Sequence, residues 1–192
     1  MTNNVIYILN GVHASGKSTV GKLLEQEGFN YLPEIASELM KDPAYEPGKD
    51  SDKEFQKEVF YREIRRDNHR NLNDNTIIET WHLGNLSHAL VVADDELIRK
   101  EKEYLDRFIE EKDVKVKALY LDISFEEIFE RSSIYTEEDK EVKDFYRMIE
   151  ENLYNIYDNL EIDYKIIDNE TNSPKETKQN IKEIIKNIPK TI

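Results

Sequence analysis

The run Gly11-Val12-His13-Ala14-Ser15-Gly16-Lys17-Ser18 constrains this chain more than any other stretch, because it matches GxxxxGK[ST] at every fixed position. Its surroundings agree. Val5-Ile6-Tyr7-Ile8-Leu9 before it is a continuous apolar run, the pattern of a strand buried on both faces. After it, Val20, Leu23 and Leu24 recur at helical spacing until Gly28. Strand, glycine loop and helix in that order make a cradle for phosphate. The glycines let successive backbone N–H groups curl round the anion, and the helix amino terminus points its partial positive charge at it. Gly11, His13, Ala14, Ser15, Gly16, Lys17, Ser18 and Thr19 are therefore the expected binding set for the phosphates of a purine nucleoside triphosphate, taken as ATP. Lys17 is expected to reach the β and γ oxygens, and Ser18 to offer its hydroxyl to Mg2+. His13 fills a variable position and is expected to face solvent as a spacer.

Beyond the loop, strands and helices alternate. Residues 29–32 read as a second strand ended by Pro33, with a brief helix over 34–40. A loop over 42–50 hands over to a polar helix over about 51–72, with Ser51 and Glu54 placed as a capping box. A third strand over 76–78 ends at Glu79, and helices are expected over 81–92 and 96–111. A fourth strand covers 116–123, and Ser124 caps a helix running into Arg131. The helix over about 137–160 turns Phe145, Ile149, Leu153 and Ile156 inward, ahead of a fifth strand over 164–167 and a last helix. This alternation predicts an α/β fold in three layers, a five-stranded parallel sheet with helices on both faces. Ligands of such sheets gather beyond the carboxyl ends of the strands, which singles out the acids Glu34 and Glu79.

The chain's 192 residues, 38% hydrophobic and 35% charged, suit one domain over 1–192. A formal net charge of -14 argues against a long nucleic-acid partner and leaves small phosphorylated ligands open. With no cysteine, thiolate metal sites and thiol nucleophiles are excluded together. No apolar run approaches the roughly 20 residues that span a bilayer, so the expectation is a cytoplasmic protein without a membrane partner. A homodimer stays open. No NKxD-like segment follows the fourth strand, and no apolar strand ends in a paired Asp-Glu, so a switch GTPase or a motor ATPase loses ground.

What remains resembles the deoxynucleoside kinase and thymidylate kinase group of P-loop NTPase folds over nearly the whole chain. Pro33-Glu34 looks like the group's Glu-Pro region, which implies that Glu34 faces an acceptor sugar or phosphate. Phe55-Gln56 is similar to its Phe-Gln pair, implying base reading by Gln56. Thr76-Ile77-Ile78-Glu79 resembles the strand whose last carboxylate takes the acceptor's proton or holds magnesium through water. The stretch from Tyr120 to Glu127 looks like the lead into a small helical lid, expected over about 131–147 and opened by Arg131. Ile166-Ile167-Asp168-Asn169, followed by Pro174, resembles a loop that wraps adenine through its backbone.

The resemblance implies ATP- and Mg-dependent phosphoryl transfer to a nucleoside or nucleotide, with Lys17, Glu79 and Arg131 catalytic and Glu34, Gln56, Glu79 and Trp81 at the substrate. Trp81, with Tyr61 and Tyr45, is the aromatic set expected to stack on an acceptor base. Two departures stand out. Thr80-Trp81 follows Glu79 where the group has an arginine, and Ser132-Ser133-Ile134 lacks a second lid arginine, leaving Lys140, Lys143 and Arg147 as stand-ins. A nicotinamide-riboside-type kinase, or a nucleotide-binding or hydrolysing regulator without an acceptor, are the other readings.

Overall fold

Five strands, β1 (Asn4–Asn10), β2 (Asn30–Leu32), β3 (Thr76–Glu79), β4 (Val114–Asp122) and β5 (Asp163–Asp168), pair in parallel in the order β2-β3-β1-β4-β5. The computed structural model describes residues 4–42, 53–70, 72, 75–112, 114–132 and 140–187. Alternation along β1 explains its uninterrupted apolar run. Ile6 and Ile8 enter the core on one face of the sheet, whereas Tyr7 and Leu9 enter a second core on the other.

The first face is covered by α3 (Lys53–His69), α4 (Trp81–Val92), α5 (Asp95–Lys112) and α7 (Lys140–Asn159). On α7, Ile149, Leu153 and Ile156 are buried as their spacing predicts, and Phe145 is partly buried. The second face is covered by α1 (Lys17–Glu25) and α8 (Pro174–Lys186), through Val20, Leu24 and Ile181. A complete capping box on Ser173 and Glu176 starts α8. The short helices α2 (Ile35–Leu39) and α6 (Phe125–Arg131) follow β2 and β4. Among the described residues no helix is long and apolar enough to cross a membrane.

Register sets the position of the acids. Leu9 pairs with Glu79, and Leu32 pairs with Ile78, so Glu79 ends β3 beside the loop leaving β1, and Glu34 lies two residues past the end of β2. The phosphate loop and both acids therefore share one edge of the sheet. Of the expected lid over 131–147, residues 133–139 and the Lys140 side chain lie outside the described residues, as do Tyr45 and the Ser51 half of the expected capping box.

One packing detail ties this edge to α1. A Cβ on Gly21 would lie 2.2 Å from Tyr31 Cε2, so the helix passes directly under the tyrosine ring. Gly21→Ala is expected to cost about 1–3 kcal/mol through overpacking. Thermal unfolding checks this, with a midpoint falling about 2–4 °C for each kcal/mol in a domain of this size.

Candidate active site

The loop after β1 reaches its shape through left-handed backbone at Gly11 (φ 146), Ala14 (φ 59) and Gly16 (φ 88). Gly16 directly precedes α1, and a Cβ there would meet Asn169 Nδ2 at 2.9 Å, so glycine is required both by backbone angle and by space. Lys17 Nζ folds over the loop and donates to Gly11 O at 2.8 Å and Val12 O at 2.9 Å. Ser18 Oγ donates to Glu79 Oε1 at 2.7 Å, and the Tyr31 hydroxyl donates to the other oxygen of the same carboxylate. Burial, then the charge of Glu79, push the Tyr31 phenol well above its usual range, so it stays protonated and remains a donor.

Glu34 precedes α2 and accepts from Thr80 Oγ1 at 2.8 Å and from the Ser37 hydroxyl. Burial pushes its pKa up, but the charge of Lys17 and these two hydrogen bonds outweigh it and leave Glu34 below the ordinary carboxylate value. It is an anion at neutral pH. Thr80 and Trp81 both have positive φ, at 65° and 50°. Such backbone costs on the order of 1–3 kcal/mol per residue and persists where its surroundings over-determine it. Here Thr80 N donates to Leu9 O at 3.1 Å, and the Thr80 side chain holds Glu34.

Two cavities meet at this point. A trough of about 650 Å³ follows the phosphate loop past Ser18 and Glu79 to Arg131, Asn169 and Asn172. A smaller cavity of about 220 Å³ lies between α2, α3, α4 and α7, with Gln56, Asn85 and His88 in its wall. His13, Lys17, Glu34 and Ser37 border both cavities, whereas Glu79 borders the trough alone. Another cavity, of about 450 Å³ between α8 and strands β4 and β5, contains none of these residues.

No protein-family model matches the chain, and no curated protein matches it in sequence. Solved structures do match in fold. A deoxyadenosine kinase from M. mycoides superposes with a TM-score of 0.61 at 13% identity, covering 96% of this chain and 100% of that one. A thymidylate kinase from Candida albicans gives 0.61 at 16% identity, covering 96% and 92%. A shikimate kinase from Aquifex aeolicus gives 0.56 at 21% identity, covering 95% and 96%. The chain has the P-loop kinase fold.

Within that fold the residues expected from sequence separate into groups. Residues 13–14 and 16–19 of the loop border the trough, and Ser15, fully buried, lies beneath it. His13 is exposed as expected and also stacks on Tyr146, with centroids 6.4 Å apart at 7°. Gln56 is 4% exposed and borders the smaller cavity. Arg131 borders the trough, where its Nε donates to Glu127 Oε1 at 2.6 Å and a terminal nitrogen to Asn169 O at 2.9 Å. Lys143 and Arg147 sit over the rings of Phe129 and Phe125 and border neither cavity. Tyr61 is 44% exposed and bonds Lys100, outside both cavities.

Trp81, expected at the substrate, borders neither cavity. The left-handed pair Thr80-Trp81 turns the indole away from the sheet edge into the core, fully buried, where Nε1 donates to Asp67 Oδ2 at 2.8 Å. Its ring meets Phe108 and His82 edge to face, each with centroids 5.3 Å apart.

Four residues were not anticipated as side-chain contributors. Asn10 borders the smaller cavity and donates to the Tyr157 hydroxyl at 2.8 Å. Asn85 borders the same cavity with Nδ2 buried and, among the described residues, without a partner. Tyr31 orients Glu79. Asn169, expected to act through its backbone, instead clasps the loop: Nδ2 donates to Ser15 O at 2.5 Å while Oδ1 accepts from Thr177 on α8. No local pattern marks Asn10, Tyr31 or Asn169, since each meets a partner distant in sequence. Asn169→Ala should leave Ser15 O without its donor and loosen the loop; where the loop holds a nucleoside triphosphate, its Kd should rise about tenfold, as titration calorimetry would read.

Proposed function

We propose that this protein transfers the γ-phosphoryl group of ATP, with Mg2+, to a nucleoside or nucleotide acceptor. The observation that carries the reading is the pair of adjoining cavities sharing Lys17 and Glu34. One follows the phosphate loop and the other is walled by amide, aromatic and apolar side chains, so a donor and an acceptor can be held on either side of one ammonium group. In the step, an acceptor oxygen attacks the γ phosphorus in line, the bond to the β,γ-bridging oxygen breaks, and ADP leaves. Lys17 and Arg131 supply charge to the transferring oxygens.

The two acids divide the remaining work differently from the sequence expectation. Glu34 borders both cavities and is ionised, which supports it as the base that takes the acceptor's proton. Glu79 already accepts from Ser18 and Tyr31 and borders only the trough, which supports a place beside the metal. Ser18 Oγ and Glu79 Oε1, 2.7 Å apart, are hard oxygen ligands of the kind Mg2+ takes. The chemistry such an ion supplies is neutralisation of charge on the β and γ oxygens.

Purified protein incubated with ATP, Mg2+ and a panel of nucleosides, nucleoside monophosphates and nicotinamide riboside should label at least one of them; labelling of none would sink the proposal. Inclusion of nicotinamide riboside separates that alternative. In the same assay Glu34→Gln should lower kcat about 10²-fold or more while ATP KM changes little. One observation favours a second reading, a nucleotide-hydrolysing regulator: Arg131 is engaged by Glu127 and Asn169, and Thr80 replaces a cation beside Glu79. Hydrolysis indifferent to every acceptor would select it.

A further inference from the structure

We infer that the smaller cavity takes an uncharged alcohol of the nucleoside class and turns away phosphomonoesters; this rests on the kinase reading above. The argument is one of charge. Besides the imidazoles of His13 and His88, Lys17 is the one basic side chain among the described residues of the cavity wall, and it sits at the junction with the trough, bound to Gly11 O and Val12 O. Beside it stands the ionised Glu34, steadied by the neutral hydroxyls of Thr80 and Ser37.

The nearby helix α3 carries arginines, but they are engaged elsewhere. Arg66 donates to Pro33 O at 3.2 Å and lies 3.1 Å from Glu63, while Arg62 and Arg65 both bond Glu58, and none of the three borders the cavity. A phosphomonoester brings close to two negative charges, which proteins meet with guanidinium forks or several ammonium groups. Here it would lose water and gain a like-charged carboxylate.

What the wall offers instead suits an uncharged polar ligand. Gln56 is buried there, and Asn85, 4% exposed, keeps an Nδ2 without a partner among the described residues. Phe55 and Ile149 supply apolar area. Amides pair with neutral carbonyl and ring-nitrogen edges and add no charge. The step then balances simply: the ligand hydroxyl loses its proton to Glu34, its oxygen bonds to the γ phosphorus, the bond to the bridging oxygen breaks, and ADP and a phosphomonoester leave. The product carries a charge for which the described residues of the wall offer only Lys17 and two imidazoles.

The test uses matched pairs on the wild-type protein: thymidine, deoxyadenosine, deoxycytidine and deoxyguanosine against their 5′-monophosphates, with γ-labelled ATP and Mg2+. For whichever base is accepted, kcat/KM for the nucleoside is expected to exceed that for the monophosphate by about 100-fold, the direction set by like-charge repulsion. A monophosphate used as well as or better than its nucleoside overturns the inference and leaves the kinase reading intact. If no acceptor is labelled, the kinase reading has failed, and calorimetry with the same pairs in the presence of ADP decides the inference alone: nucleoside binding without monophosphate binding upholds it, and the reverse ends it. Glu34→Gln should lose nucleoside turnover yet bind the monophosphate about tenfold more tightly. Unchanged monophosphate affinity in that folded variant would show that charge does not set the preference.

Discussion

Replacing Lys17 by methionine is expected to lower phosphoryl transfer about 10³-fold, since it deletes the one ammonium group that borders both cavities. Methionine keeps an unbranched apolar stem in a place where the lysine is 9% exposed, so the variant should fold. The charge itself is what is lost. Without nucleotide, the ammonium group is satisfied by two backbone carbonyls of its own loop, Gly11 O and Val12 O, and arriving phosphate oxygens would compete for the same hydrogens. Steady-state kinetics with saturating acceptor reads kcat, and calorimetry reads nucleotide affinity separately. A residual kcat within tenfold of wild type would remove Lys17 from the transfer step.

The second large effect is expected away from both cavities. Between α3, α4 and α5, His82 is fully buried, with Nδ1 2.6 Å from Glu101 Oε2 and Nε2 3.4 Å from Asp67 Oδ2. Asp67 also accepts from Trp81 Nε1 at 2.8 Å and from the Tyr104 hydroxyl at 3.3 Å. Asp67→Ala removes a counterion and an acceptor at once, leaving buried charge uncompensated, and should cost about 3–5 kcal/mol. For a domain of this size that lowers the unfolding midpoint by about 10 °C. Burial alone would pull the His82 pKa down, but the charge of Glu101 and hydrogen bonds to Asp67 and Glu101 outweigh it and hold it at about 10, above its ordinary 6.5. A raised pKa means stabilisation that is complete below about 6.5 and lost as pH rises through about 10. Burial raises Glu63 nearby to about 7 from 4.5, so its ionisation subtracts over a lower window, between about pH 4.5 and 7, and the fall above neutral belongs to His82. Wild-type stability should therefore fall between neutral and alkaline pH, and the fall should be shallower in Asp67→Ala. Denaturant unfolding at a series of pH values reads both; a wild-type curve flat to pH 10 would contradict the assignment.

The parts of this site that could be read from sequence are those whose signal is local. A strand, a glycine loop and a helix succeed one another within 25 residues, and period alone separates them. Glu34 and Glu79 follow from the rule that ligands gather at strand ends, and the parallel register then sets them side by side. Strand order leaves no such trace, and neither do pairings across long stretches of chain. Asn169 meets Ser15 across 154 positions and Asn10 meets Tyr157 across 147. Tyr31 looked like an ordinary strand aromatic until the fold placed its hydroxyl on Glu79. Trp81 misled for a different reason. Period assigns an aromatic to a strand end or a helix start but does not anticipate left-handed backbone at a β-branched residue, and that corner decides which way the indole turns. We propose Glu34 rather than Glu79 as the base because hydrogen-bond partners, invisible in sequence, differ between the two acids.

Trp81 is also the only tryptophan in the sequence, which makes it a spectroscopic label built into the wild-type chain. A buried indole emits at shorter wavelength than a solvated one, so loss of the core shifts the emission of the whole protein. Its ring lies 5.3 Å from the His82 imidazole, and a protonated imidazole quenches indole emission by accepting an electron. Brightness should thus report the charge of His82, and wavelength the integrity of the core around it. Because the fluorophore follows Glu79 by two residues, one unlabelled sample gives a view of the corner beside the phosphate loop and both acids.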